Sequence, residues 1–421
     1  MLYLKRAMTQ IGDIIFNICI FASVYIQVFL LVTFLENKHK FVIRKEGLQL
    51  ATYPLVTIII PCWNEEETVA RTVASVLGLN YPQNKIKLVI VDDGSTDNTW
   101  NEILKFKDRE NIKVLCKENG GKYTALNLGL RHVDTEFVGC LDADSVAHPE
   151  ALVRLMSYFE RDPLLMSVAP SVLTIRTKNM VQKAQRPEYY LAAFVKKMLG
   201  FLGAVHVVPG PLTIFKKEVF DKLGPYRRGH NTEDLEITYR MQKNNFKIEQ
   251  CHDAYVYTNT PSTLKKLYKQ RIRWIYGSIN NLIDYRGLLF KRRHGNFSFF
   301  TLPSIIVAIL SVSYLFGMIV YNAGDYLYSK FMQIKITGIY FSASPHFFDP
   351  FFLNMKAVFF LMLLFYFFNL FSMIVGRKMV EGKWYLSVDM LYFFALFGVF
   401  TPVWFIKAIF DTVVSRNPSW R

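Results

Sequence analysis

Four stretches of this chain are too long and too uniformly apolar for a water-soluble core: 11–35, 299–321, 352–375 and 388–410. About twenty such residues cross a bilayer, and only a helix satisfies its own backbone groups there. The first run is long for a signal-peptide core and no small-residue cleavage site follows it, so it reads as an anchor. Lys5 and Arg6 precede it and Lys38, Lys40, Arg44 and Lys45 follow it. The positive-inside bias then puts the next domain in the cytosol. Among the later loops, the one holding Arg377, Lys378 and Lys383 is basic and belongs inside. The 322–351 segment balances Lys330 and Lys335 against Asp325 and Asp349, and belongs outside with the tail. The expectation is a multi-pass cell-membrane protein with one span before a cytosolic domain and three after it. Pro402 leaves the last span kinked or partly interfacial.

Between the first and second spans the pattern changes to that of a soluble domain. Strand-like runs at 56–60, 88–91, 113–116 and 138–141 alternate with helical patterns at 68–77, 100–106 and 123–131. Such alternation means a parallel, doubly wound α/β sheet, whose ligands sit beyond the carboxyl ends of the strands. Polar clusters fall there: Asn64–Glu67 after Pro61, Asp92 and Asp93, Lys122 behind two glycines, and Asp142 and Asp144. The stretch VGCLDADSV is the most pointed of them. Its two carboxylates lie two residues apart at a strand end, hard oxygen donors suited to a divalent cation and its phosphates. Taken alone, DAD is also an ordinary polar turn, and Asp97 in DDGSTDNT is read as turn and cap chemistry.

Charge and cysteine content narrow the partners. A net charge of +16 points to anions, whether nucleic acid, nucleotide phosphate or lipid headgroup. No basic-aromatic module is present, so nucleic acid is excluded and membrane-facing lysines account for the excess. Five scattered cysteines without a CxxC argue against disulfides and zinc.

Three later features complete the pattern. Residues 189–205 are apolar but interrupted by Lys196 and Lys197, which fits an amphipathic helix lying in the membrane interface, with a buried core helix as the alternative. A loop with Pro209, Gly210 and Pro211 follows, and Gly210 permits close backbone approach. On a helix over 262–283, Leu264, Leu267, Tyr268, Ile272, Ile275, Ile279, Leu282 and Ile283 form one apolar face. Gln270, Arg273 and Trp274 sit together off that face, while Arg271 falls on the apolar side, as a side chain snorkelling to headgroups would.

The blocks IIIPCWNEEETV, VIVDDGSTDNT, GGKYTALNLGL, CLDADS, NTEDLEITYR and QRIRW, in this order, resemble the processive membrane branch of family 2 glycosyltransferases. That branch includes cellulose, chitin, hyaluronan and poly-N-acetylglucosamine synthases, and TPSTLKKLYKQRIRW is closest to the last. The resemblance implies a GT-A (Rossmann-like) cytosolic catalytic domain with an α-helical transmembrane region. Residues 1–50 would be anchor and linker, 51–260 the GT-A domain, 261–298 amphipathic interfacial helices with the QxxRW motif, and 299–421 about three membrane helices. It also implies roles. Pro61, Asn64, Glu65, Asp92, Asp93, Lys122 and Asp142 would bind the nucleotide-sugar, and Asp144 with Asp142 would hold Mg2+ or Mn2+. Asp234 would be the general base beside Glu233, and Gln270 and Arg273 would meet the diphosphate. Trp274 and Gly210 would line the acceptor site, where relatives carry Ser-Gly and this chain departs with two prolines.

The expected activity is inverting transfer of a sugar, N-acetylglucosamine by resemblance, from a UDP-sugar to a growing β-linked polysaccharide. Membrane lipid, and an accessory or export subunit with coupled export, are the further partners the resemblance implies. Two rivals stand beside it: transfer of one sugar to a polyprenyl phosphate or lipid, and a catalytically inactive scaffold. QRIRW and the trailing spans disfavour the first, and the full set of acids disfavours the second.

Overall fold

The computed structural model describes residues 2–41, 47–337 and 355–415. Arg44, Lys45, Asp349, the first residues of the 352–375 span and the tail beyond Ser415 lie outside the described residues.

A long helix α1 (Leu2–Asn37) leads to the first half of the domain: β1 (Val56–Cys62), α2 (Val69–Leu77), β2 (Ile86–Asp92), α3 (Thr99–Leu104), β3 (Ile112–Cys116), α4 (Lys122–Leu130) and β4 (Phe137–Cys140). The second half continues with β5 (Ser145–Ala147), α5 (Ala151–Arg161), β6 (Leu165–Thr174), α6 (Met180–Phe201), β7 (Thr213–Lys216), α7 (Glu218–Leu223), α8 (Glu233–Lys243), β8 (Lys247–Thr258) and α9 (Leu264–Asp284). Helices α10 (Leu302–Thr337), α11 (Met355–Glu381) and α12 (Val388–Val413) end the described chain.

Among the described residues, the strands form one eight-stranded sheet in the order β3-β2-β1-β4-β7-β6-β8-β5. The parallel sheet expected from the alternation holds for β3, β2, β1 and β4. Beyond them the sheet is mixed, because β7 runs antiparallel to both β4 and β6. Strands and helices still alternate after β4, but β7 enters between β4 and β6 in the opposite sense, while β6 and β8 again pair in parallel.

Strand β1 is buried along its whole length. Ile58 and Ile60 face a core with α2 and α5, whereas Ile59 faces the opposite layer. Two-residue periodicity with both faces apolar is the mark of a strand covered on both sides. Gly129 of α4 lets that helix settle on Ile59, since a Cβ there would lie 2.5 Å from its Cγ2.

Pro61, inside a central strand, needs explanation, because proline removes a ladder donor. The last rung between β1 and β4 is Leu141 N to Ile59 O at 2.9 Å. Pro61 stands two residues beyond Ile59, on the same edge, where β4 has already turned away. The split between β1 and β4 is the crevice into which the DAD turn emerges.

Among the described residues, four helices are long and apolar enough to cross a membrane: Ile14–Lys40, Phe297–Ile336, Phe360–Glu381 and Val388–Val413. Two of the sequence expectations change in detail. Lys197 of α6, expected at a lipid interface, is buried and donates to Glu249 Oε1 at 3.0 Å and to Gln250 O at 2.9 Å. The apolar face of α9 is covered by α12: Leu267 packs with Leu396, Phe397 and Trp404, and Ile279 with Ala408. Amphipathicity marks a face for burial without saying what buries it. Both ends of α12 meet the α/β domain, through Arg186–Asp389 at 3.0 Å and Asn280–Thr412 at 3.1 Å, so the end of α12 stands on the same side as the domain and the expectation of a tail outside is corrected. Helix α11 docks on α6 at Gly376, where a Cβ would lie 2.0 Å from Tyr190 O.

Candidate active site

The loops leaving β1 and β2 lock together. Asn64, in the left-handed region at φ 53°, donates its N–H to Ser95 Oγ at 3.0 Å and accepts from Thr96 N at 2.9 Å. Glu65 N donates to Thr99 Oγ1 at 2.7 Å. Asp92 accepts from Ser95 Oγ at 2.5 Å. Asp97 accepts from Thr99 N at 3.0 Å, the turn contact expected of it, while the cap position of α3 is held by Asn98. Asp93 is more heavily engaged. It is buried, takes Lys117 Nζ at 2.6 Å, and receives Gly120 N at 3.1 Å and Gly121 N at 2.8 Å. Its carboxylate therefore shapes the glycine turn that presents Lys122, a task the sequence did not suggest.

Lys122 is the first residue of α4, after Gly121 at φ 91°. Its ammonium lies 2.6 Å from Asp142 Oδ1 and 3.1 Å from Glu233 Oε1. Burial works against its charge, but those two carboxylates outweigh it and hold the lysine well above its ordinary range. Gly210 completes this corner: a Cβ there would come within 2.9 Å of Lys122 Nζ and 3.2 Å of Asp142. It thus borders the lysine–carboxylate pair, and any side chain would intrude on both.

The DAD turn is fixed from behind. Ser145 N donates to Asp142 O at 3.0 Å, and Thr72 Oγ1 of α2 donates to Ala143 O at 2.8 Å. Ala143 is buried, so the two aspartates are left at the crevice. Asp144 accepts from Ser145 Oγ at 3.0 Å. Its pKa is pushed up to about 6, first by burial and then by the charges of Asp142 and Glu65. Crowded carboxylates at a buried strand end fit a divalent cation, which relieves their repulsion. Among the described residues no group of three or more His, Cys, Asp or Glu side chains forms a closed cage. The pair suits an ion that takes its remaining ligands from phosphates and water.

Asp234 lies in the first turn of α8, where it accepts from Leu235 N at 2.8 Å. Burial and then the neighbouring Glu233 push its pKa up to about 6, against the pull of Lys122 and Arg273. Arg273 of α9 donates to Asn231 O at 2.9 Å. Burial lowers its pKa, and the nearby charges of Glu233, Asp234 and Asp142 oppose that shift. Asp142, Lys122, Glu233, Asp234 and Arg273, which come from four separate blocks, thus share one electrostatic neighbourhood. Gln270 Oε1 is buried there without a protein partner, an acceptor left for a donor from outside.

Helices α8 and α9 approach at one point. A Cβ on Gly277 would lie 2.3 Å from Thr232 Oγ1, the residue capping α8. Thr232 Oγ1 donates to Gly229 O at 2.7 Å and accepts from Asn281 Nδ2 at 3.1 Å.

Trp274 is 38% exposed, and its ring is covered by the guanidinium of Arg271 at 4.4 Å. Arg271 does not snorkel. It is buried and pairs with Glu188 of α6 at 2.5 Å, because α6 supplies the carboxylate that makes the apolar side habitable. Removing Arg271 strands the Glu188 carboxylate, which is 28% exposed, so the cost falls below the roughly 3–5 kcal/mol of a fully buried pair. Arg271→Gln should therefore lower the thermal midpoint more than the double change Glu188→Gln/Arg271→Gln. Differential scanning fluorimetry of the detergent-solubilised protein reads that order.

The sequence marked Lys196 only as an interruption of an apolar run, and did not single out His206. Lys196 on α6 is held down to about 8 by burial, with Asp234 pulling the other way. His206 is held down to about 4 by burial and by Lys196, and its Nδ1 is buried without a partner. Lys196 comes into the field of Asp234 because the loop after α6 lies along α8, with Val208 N donating to Thr238 Oγ1 at 3.0 Å and Gln242 Nε2 to Val205 O at 2.9 Å, which no local pattern reports.

Residues 54–277 match the family described as "Glycosyltransferase like family 2". A poly-beta-1,6-N-acetyl-D-glucosamine synthase of Staphylococcus epidermidis is 29% identical over 331 residues, covering 75% of this chain and 79% of its own. The synthase of the same name from Staphylococcus aureus strain N315 is 32% identical over 236 residues, 56% of this chain and 57% of its own. A solved mannosyltransferase from Pyrobaculum calidifontis, in complex with GDP-Man and Mn2+, superposes with a TM-score of 0.54 at 15% identity, covering 96% of this chain. At that identity the likeness is one of fold.

Proposed function

Because the chain belongs to the glycosyltransferase family 2 group, we propose that it transfers N-acetylglucosamine from a UDP-sugar to the end of a growing β-linked polymer at the cytosolic face of a membrane. The amino sugar and the 1,6 linkage follow the relatives' names. The observation that carries the reading is the chain of contacts from Asp142 through Lys122 to Glu233, at 2.6 and 3.1 Å, with Asp234 and Arg273 in the same field.

In this reading the uridine lies over the loops after β1 and β2, against Pro61, Asn64, Glu65, Asp92 and Asp93. Lys122 and Arg273 face the diphosphate, with the Gln270 amide beside them. Asp142 and Asp144 hold a divalent cation, Mg2+ or Mn2+, which supplies positive charge to the departing diphosphate. Asp234 takes the proton from the acceptor hydroxyl as that oxygen bonds to the anomeric carbon and the bond from that carbon to UDP breaks. One displacement inverts an α-linked donor to a β-linked product. With a pKa near 6, Asp234 is charged at neutral pH yet more basic than a surface aspartate. Trp274, stacked on Arg271, offers its indole to the acceptor sugar.

Lys122→Met should weaken donor binding. Charge-assisted bonds are worth about 1.5–3 kcal/mol, so the KM for the UDP-sugar should rise on the order of 10- to 100-fold. Steady-state kinetics across a range of donor concentrations measures it.

The activity itself is tested with the full chain in lipid vesicles, given radiolabelled UDP-N-acetylglucosamine with Mg2+ or Mn2+, and its products sized. A β-linked polymer is expected. A lipid-linked monosaccharide would replace this reading with single-sugar transfer. No turnover with any UDP-sugar would leave only the scaffold.

A further inference from the structure

On the far side of the Gly229–Asn231 turn from the catalytic acids lies a cavity of about 1180 Å3. Its charge is unbalanced. Of its two carboxylates, Glu236 is taken by Arg240 at 2.9 Å, with Arg227 at 3.7 Å, and Asp284 by His230 at 2.8 Å. Lys243, Lys291 and Arg293 also line it, and among the described residues none of the three has a carboxylate within ion-pair distance. Like charges gathered around a hollow repel one another unless an anion fills it.

The position says which anion. Lys291 and Arg293 stand in the turns just ahead of the candidate span Phe297–Ile336, and Thr412 and Ser415 of the lining come from the end of the span Val388–Val413. Close by in the chain are exposed apolar groups. Phe290 and Phe299 are 63% and 49% exposed and meet edge to face at 6.0 Å, and Val413 is 78% exposed. A cationic hollow with a greasy rim, set where two membrane helices end, matches a ligand with an anionic head and an apolar tail.

We propose that this cavity binds the phosphodiester headgroup of an anionic phospholipid, with Lys243, Lys291 and Arg293 around the phosphate and the acyl chains along the exposed ends of α10 and α12. The site is separate from the donor and acceptor groups, and its occupancy does not depend on the sugar chemistry.

The test uses the full-length protein in detergent, titrated with phosphatidylglycerol and followed by native mass spectrometry. Wild type should retain phosphatidylglycerol in preference to phosphatidylcholine. Lys291→Ala/Arg293→Ala should weaken that retention about tenfold, and Lys243→Ala alone by less. Lys105→Ala/Lys107→Ala, removing equal charge from the distant turn after α3, should leave it unchanged. Retention that is equal in wild type and in the Lys291/Arg293 variant overturns the proposal. So does displacement of the lipid by equimolar glycerol phosphate, which would make the ligand a soluble phosphate. An unchanged thermal midpoint shows that the variants are folded, and the milder Lys243→Ala keeps the comparison available should the double variant fail.

Discussion

Asp234→Asn should reduce sugar transfer by about 10³-fold, within the roughly 10²–10⁴ that a positioned base contributes, while leaving UDP binding close to wild type. The asparagine keeps the shape and the Leu235 N–H contact but cannot accept the hydroxyl proton. Wild-type kcat should climb as pH rises through about 6, where Asp234 loses its own proton, and the variant should lack that limb. The stability effect has the opposite sign. A carboxyl whose folded pKa is raised favours the fold while protonated, and that contribution is lost as pH rises through about 6. At neutral pH the variant should therefore unfold at a higher temperature than wild type. Activity and melting curves on the same preparations decide it, and a variant that is both active and unchanged in melting would remove Asp234 from the reaction.

The second large effect is expected away from the acids, at Gly277. The nearest atoms to an added Cβ belong to Thr232, 2.3 Å away at Oγ1 and 2.5 Å at Cγ2. Thr232 cannot swing aside cheaply, because its hydroxyl is held by Gly229 O and Asn281 Nδ2. A side chain at 277 must then push α9 from the start of α8, separating Arg273 and Gln270 from Glu233 and Asp234. A displacement of about 1 Å can cost 10²-fold in rate. Gly277→Val should lose at least that much in kcat with donor affinity largely retained, and Gly277→Ala should fall between. Gly317→Ala, with open space around it, should be silent. Equal kcat for wild type and Gly277→Val would refute the close-approach argument.

The acids were legible because their chemistry is local. Asp92, Asp142 and Asp144 stand at the ends of apolar strands, where a sheet of this kind collects ligands, and a short stretch of chain suffices to recognise each. The helix of Gln270, Arg273 and Trp274 was equally readable from its periodicity. What escaped needed contacts between distant segments. Arg271 looked like a side chain reaching for headgroups, because Glu188 lies 83 positions earlier. Lys197 looked interfacial until Glu249 and Gln250 were seen beneath it. Asp93 was read for what it could offer a nucleotide, whereas the folded chain also uses it to build the glycine turn. The mixed half of the sheet depends on β7 inserting between β4 and β6, and nothing in its four residues announces that partner.

The way α12 lies against α9 changes what the end of this chain is for. A terminal membrane helix is ordinarily thought of as a tether, replaceable by any other greasy segment. Here Leu396, Phe397, Trp404 and Ala408 splint the very rod from which Gln270 and Arg273 project. Shortening the protein before residue 388 would thus remove a brace rather than an anchor, and any strain put on that brace would reach Gln270 and Arg273 mechanically.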